Sequence, residues 1–295
     1  MTVTSVIPER LREPLLWAAG AVVLFVVFAI GTFPYGVLQA RMLAEVVRAT
    51  GMDVQVGDWS ATIPATIEWR DVLLVASGGK SVRLDSLQAR LAVISAMMGK
   101  ASVDFGVQFP GSARAQQGRL HGVVKAASWS FQGPVELRAA WQQVELSSFL
   151  KEYVSQGLLQ GEGVHRWDHS SSEGFKGEGT WTAEAKDVVL GAIPIGTGMF
   201  PSLVFTRVTT AVNCRQSVCD VTELKGEGPD GSFTIQGQVT VQRPIEKSTL
   251  ALNVSLLPGA GLGQKLGSLG LPPLQPGVPL TLKVIGPANA ARVAF

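Results

Sequence analysis

From Pro14 to Ala40 the chain carries no charged residue, and Leu15 to Phe33 reads LLWAAGAVVLFVVFAIGTF. At about 1.5 Å per residue those positions reach roughly 28 Å as a helix, close to the ~30 Å hydrocarbon core of a bilayer. We therefore expect a transmembrane helix over 14–34. A signal peptide is the rival, because Arg10 and Arg12 precede the run, but its apolar core is shorter and ends in a small-residue cleavage site. Here only Ala29-Ile30-Gly31 could serve. The positive-inside rule puts residues 1–13 in the cytoplasm, although Arg41 and Arg48 beyond the span weaken the asymmetry. No later apolar run is long enough to span, so everything after Phe33 is expected on the extracytoplasmic side.

Beyond the span, Val37, Leu38, Met42, Leu43, Val46 and Val47 recur at helical spacing, and Gly51 stands where a C-cap belongs. The spacing predicts an amphipathic helix over 35–51, favoured as a cap on the end of a sheet over a helix lying on the membrane surface. From Met52 the period changes to two. In SFTIQGQVTVQ (232–242), Phe233, Ile235, Val239 and Val241 alternate with polar residues; Leu250, Leu252, Val254 and Leu256 repeat the rule. Val103, Phe105, Val107 and Phe109 form a third such set, and Leu280, Leu282 and Val284 a fourth. One wet face is the mark of antiparallel sheet, since parallel strands buried on both faces read as unbroken apolar runs.

Less regular strands are expected near 54–60, 66–76, 82–93, 117–126, 128–141, 158–167, 174–184, 201–213 and 219–227. Short helices are expected at ISAMM (94–98) and SSFLKEYVS (147–155). Mainly β is thus the fold class: one N-terminal transmembrane helix, then a long twisted antiparallel sheet with a few short helices. The β-rich periplasmic domain covers 52–258, and 259–295 reads as a Gly/Pro-rich linker with a final strand. With 33 glycines and 16% charged residues, composition agrees. A tetrapeptide, KGEG, occurs at Lys176–Gly179 and again at Lys225–Gly228, a weak sign of an internal repeat.

Tests for chemistry return little. Net charge is +2 with no run of Lys or Arg longer than two, which removes the electrostatic footprint of a nucleic-acid binder. Gly79-Lys80-Ser81 lacks the upstream glycine of a phosphate loop, Leu74 standing in its place. His165 and His169 are spaced like helical zinc ligands, but their Gly- and Ser-rich flanks predict a strand end and turn with solvated histidines; His121 is isolated in a strand. No Ser or Cys is tied by a motif to a base. The chain reads as a non-enzyme with no cofactor and no metal.

The stretch GTFPYGVLQARMLAEVVRATGMDVQVGDWSATIPATIEWRDVLL (31–74) resembles the N-terminal region of the type II secretion system protein N family: an apolar span, a Phe-Pro-Tyr turn, a helix, and strands closing on Asp-Val-x-Leu. PSLVFTRVTTAV and KGEGPDGSFTIQGQVTVQRPIEKSTLALNVSLLP resemble that family's late strands. The resemblance implies a single-pass protein of the bacterial inner membrane with its bulk in the periplasm, a non-enzymatic accessory of type II protein secretion with other envelope components as partners. The β-rich body is also similar to AsmA-like proteins, which implies the alternative of an apolar sheet groove for lipid acyl chains; Val103, Phe105, Phe233, Ile235, Leu250 and Leu252 would line it, unless they form a covered core.

Cys214 and Cys219 are the only cysteines, in AVNCRQSVCDVTEL. Two cysteines alone could be a redox pair, half a metal site or a staple. An oxidising periplasm permits a disulfide, and two thiols cannot supply four zinc ligands. Counting by twos from Val204 reaches Cys214, and Cys219 shares a face with Val221, so both sulfurs are expected on one face, joined in a disulfide across a hairpin loop RQSV.

Overall fold

The computed structural model describes residues 20, 21, 24, 28, 35–50, 52–62, 65–75, 81–92, 95, 98–111, 117–128, 133–151, 153–168, 177–195, 198–242, 247–268 and 277–294. The expected cytoplasmic segment 1–13, nearly all of the expected span 14–34, most of the ISAMM helix, and His169 lie outside them. Gly20, Ala21, Leu24 and Phe28 are helical and exposed. No helix among the described residues is long and apolar enough to cross a membrane.

Fourteen strands form one antiparallel sheet. They are β1 (Asp53–Thr62), β2 (Thr66–Val75), β3 (Ser81–Leu91), β4 (Ala101–Gln108), β5 (Arg119–Ala126), β6 (Pro134–Glu145), β7 (Val154–Asp168), β8 (Gly177–Leu190), β11 (Leu203–Gln216), β12 (Val218–Gly228), β13 (Gly231–Thr240), β14 (Thr249–Pro258), β15 (Leu280–Pro287) and β16 (Arg292–Ala294). Their spatial order is their sequence order, interrupted only by a separate two-stranded hairpin of β9 (Ile193–Ile195) and β10 (Gly198–Phe200). The sheet is a plain meander with no crossover. Each connection is local, so the period-two sequences pair with their chain neighbours in turn.

Thirteen of these strands coincide with segments expected from the sequence, mostly within four residues at each boundary. The β9–β10 hairpin and β16 were not expected. The predicted helix over 147–155 is only α2 (Ser147–Leu150), because β7 begins at Val154.

The meander gives the molecule two rims. One carries α1 (Tyr35–Thr50), α2, the β9–β10 hairpin and α3 (Ala260–Ser268); the other carries the Cys214–Cys219 hairpin and the β3–β4, β5–β6 and β7–β8 connections. We call them the helical rim and the turn rim. Met42 and Leu43 of α1 pack on a core cluster, so the helix caps the sheet as expected. The presence of α3 corrects the linker expected over 259–277. Its Leu262 and Leu266, one turn apart, are buried against Val154, Val188, Leu203 and Phe205. Burying that stripe offsets the low helix propensity of a segment with several glycines.

Three strands leave period two at one step each. Asp71, Gln143 and Asp187 take φ of 49°, 53° and 52°. Around each, two residues three apart face the same side: Trp69 and Val72, Trp141 and Val144, Ala185 and Val188, all of them in or against the core. At Gln143 and Asp187 the step matches a register shift against β7, as in a β-bulge.

Candidate functional site: the apolar face

Pairing fixes which residues share a face. Leu91 opposes Val103, Val103 opposes Val124, Val124 opposes Leu137, and Ala89 opposes Phe105. On the far side of the sheet Gly226 opposes Phe233, Phe233 opposes Leu256, Ile235 opposes Val254, and Leu252 opposes Val284. One face is therefore apolar through all of these strands. The opposite face is polar and locked by charge. Lys125, Glu136, Arg166, Glu178 and Arg215 stand directly opposite one another across five successive strands, alternating in sign. Arg166 and Arg138 reach Glu136 at 2.6 and 2.5 Å. Their hydrogen bonds, Arg166's first, hold the Glu136 carboxyl below its ordinary range. A one-residue slip would bring the apolar residues into water and break this ladder.

The six residues expected to line a groove do share the apolar face, and all six are half-buried. They do not form one pocket. β4, which holds Val103 and Phe105, is seven strands from β13, about 34 Å along the sheet at ~4.8 Å per strand. Val103 packs against the cluster of Ile67, Trp69, Val72, Leu84, Ala89, Phe109 and Val144. Phe233 packs against the α3 cluster, edge-on to Phe205 at 4.8 Å between centroids. Ile235, Leu250 and Leu252 belong to none of the three core clusters. Phe105 belongs to none of them either, so the face is closed around the first cluster and beside α3, and less covered at Phe105 and over the middle of β13 and β14.

Between these regions lies an aromatic row that sequence reasoning missed. Trp141 stacks near Trp181 at 6.1 Å, and His165 sits 6.3 Å from Trp181 and 5.7 Å from Trp167. The rings lie over glycines: a Cβ on Gly163 would fall inside the Trp181 ring, and one on Gly179 inside His165. His165 is therefore a strand residue 7% exposed, correcting the expected solvated loop. The Gly-rich flank that suggested a turn is the floor on which these rings rest. Burial lowers the imidazole pKa, and its Nε2, like the Nε1 atoms of Trp69 and Trp141, has no hydrogen-bond partner. His121 is exposed in β5. Both copies of KGEG place glycines on the apolar face, beneath His165 in one strand and beside Phe233 in the other.

Cys214 and Cys219 are a directly opposed pair in β11 and β12, with S–S at 2.11 Å. The turn is tighter than the expected RQSV loop, because Arg215 still pairs with Val218 and only Gln216 and Ser217 connect them. Gln216 takes φ of 55°, the left-handed conformation such short hairpin turns use. Among the described residues no three of His, Cys, Asp and Glu come together as a metal site.

A comparison of the chain with family models, with curated proteins and with solved structures finds no match to any of them.

Proposed function

We propose that this is a non-enzymatic, membrane-anchored protein of the bacterial periplasm whose sheet shelters lipid acyl chains on its apolar face. One observation carries the reading: Ile235, Leu250 and Leu252 continue the apolar face of the core, are only half-buried and lie outside every core cluster. An apolar strip that the core clusters do not cover offers a surface to a ligand or partner. The anchor rests on the uncharged stretch 14–40, and the compartment on that stretch together with the Cys214–Cys219 bond.

Alternation of side chains supplies an internal control. Full-length protein, purified with bound lipid and irradiated in the presence of a diazirine-labelled fatty acid, should be modified at Ile235, Leu250 and Leu252. The outward-facing Thr234, Gln236 and Ala251 should remain unmodified. Equal labelling of the two faces, or none, would remove the acyl-chain reading.

A second reading, an accessory of type II secretion, is favoured by the edge of the sheet. β1 presents ten residues and, among the described residues, no strand lies beyond it; Trp59 stands there at 39% exposure. Such an edge accepts a strand from another protein. Co-purification of secretin or inner-platform components from cells with the secretion apparatus, and loss of capture when Val56→Pro blocks the edge, are the expected results. Equal recovery with either edge would count against it.

A further inference from the structure

Exposed large apolar side chains are not spread evenly. Val37 and Val47 of α1, Phe149 and Leu150 of α2, Tyr153, Leu257 and Val278 all stand on the helical rim, with exposures from 38% to 68%. Away from it, among the described residues, the exposed set is Leu24 and Phe28 in the N-terminal run, Trp59 on the edge strand, Met98 on the turn rim and Ile285 on β15. Loop composition divides the rims less cleanly. Val188 to Thr206 and Leu266 to Leu282, both passing through the helical rim, contain no charged residue. On the turn rim HRWDHSSSEGFK (165–176) and QRPIEK (242–247) carry charge, whereas AVISAMMG (92–99) and ASWSFQG (127–133) carry none. Side-chain exposure among the described residues thus marks the helical rim as the more apolar of the two.

We infer that the helical rim is a membrane-contact surface, resting in the interfacial layer of the lipid bilayer. The occupant follows from where the chain goes: residues 1–34, with their 19-residue apolar run, lead into α1, which packs on the core through Met42 and Leu43 and enters β1 on this rim. Whatever the run is inserted into must lie beside α1. Phe, Tyr and Leu at the end of a domain are the side chains that partition into the headgroup boundary, with Tyr presenting a polar tip to it. The exposed side chains that mark this rim are uncharged, so the contact is apolar rather than electrostatic. The inference rests on the anchored reading above. It adds that the sheet does not hang free from its tether but stands on the bilayer, placing the α3 end of the apolar face next to lipid.

The test uses the full chain reconstituted in phosphatidylcholine vesicles, with the native disulfide intact. Single cysteines are introduced on the helical rim (Leu150→Cys, Val278→Cys) and on the turn rim (Ala127→Cys, Lys247→Cys) and carry an environment-sensitive fluorophore. Labels on the helical rim should be quenched severalfold more by headgroup nitroxide lipids than those on the turn rim. The difference should survive high salt, because it does not depend on charge. Equal quenching at both rims, or helical-rim labels open to an aqueous quencher, overturns the contact while leaving the anchor intact. Failure of the unlabelled chain to float with vesicles overturns the anchor reading, and the contact with it. Protection of the rim only when an envelope protein is added assigns the surface to that protein instead of to lipid.

Discussion

His165 is a titratable ring held where a second proton finds no partner. On the elements packed around it, the same-face neighbours are Leu137 and Trp141 of β6, Gly179 and Trp181 of β8, and Trp167 of its own strand. The charged groups nearby, Glu136, Arg166 and Glu178, belong to the opposite face. Burial lowers the folded-state pKa below that of the unfolded chain, near 6.5. The unfolded state therefore binds the proton first, and stability should fall as pH drops through about 6.5, levelling only below the folded-state value. Denaturant titrations from pH 8 to pH 5 should show this loss, and His165→Phe should flatten it; an unchanged pH profile in the variant would assign the loss to another group. The two cysteines close a very small ring, so replacing both with serine should cost about 2 kcal/mol and lower the midpoint by roughly 3 °C, without loss of the fold. Differential scanning calorimetry of the double variant, with and without reductant, checks this.

At the scale of elements, α3 shows how a buried ion pair can seat a helix that sequence propensity disfavours. Asp230, 2% exposed in the β12–β13 turn, accepts hydrogen bonds from the Val204 N–H at 2.6 Å and from Lys265 Nζ at 2.5 Å. Lys265 also reaches the Ser202 carbonyl at 2.8 Å, so α3 is bound to two connections of the helical rim. Lys265→Met should cost about 2 kcal/mol, the lysine being partly solvated, because it leaves a buried carboxylate without its cation. Adding Asp230→Asn should recover part of that cost, and a double-mutant cycle in urea measures the coupling. Strands β7 and β8 depend on the ring-over-glycine arrangement. Gly163→Val should displace Trp181 and destabilise by about 2 kcal/mol, visible as a change in near-ultraviolet circular dichroism. An unaltered spectrum would mean the ring has room that the geometry denies it.

The whole molecule is a meander whose stability is distributed unevenly along the sheet. Ile67 is 1% exposed within the first core cluster, whereas Leu252 is half-buried outside all three. Ile67→Ala should cost about 3 kcal/mol and Leu252→Ala only about 1 kcal/mol, a contrast that equilibrium unfolding resolves. Comparable costs would show that β13 and β14 are packed like the core, and would weaken the case for a groove. Much of the sheet was legible beforehand because strands such as SFTIQGQVTVQ and TLALNVSLL alternate strictly, and because in a meander each strand pairs with its chain neighbour. Where strands depart from period two, as at Asp71, Gln143 and Asp187, the sequence shows only an apolar residue out of phase. The burial of His165 was hidden for a related reason: glycine beneath a ring on the next strand looks, in one dimension, like a turn.

By itself the sequence determined the antiparallel class, the thirteen main strands, the capping helix α1 and the single face shared by Val103, Phe105, Phe233, Ile235, Leu250 and Leu252, because backbone period and hydrophobic burial are local properties. Only the tertiary structure decided which stretches of that face close into core and which stay open, that α3 folds at all, and that apolar side chains gather on one rim. Those outcomes depend on contacts between residues far apart in the chain, such as Asp230 with Lys265 and Leu262 with Phe205. No local pattern records a partner that lies tens of residues away.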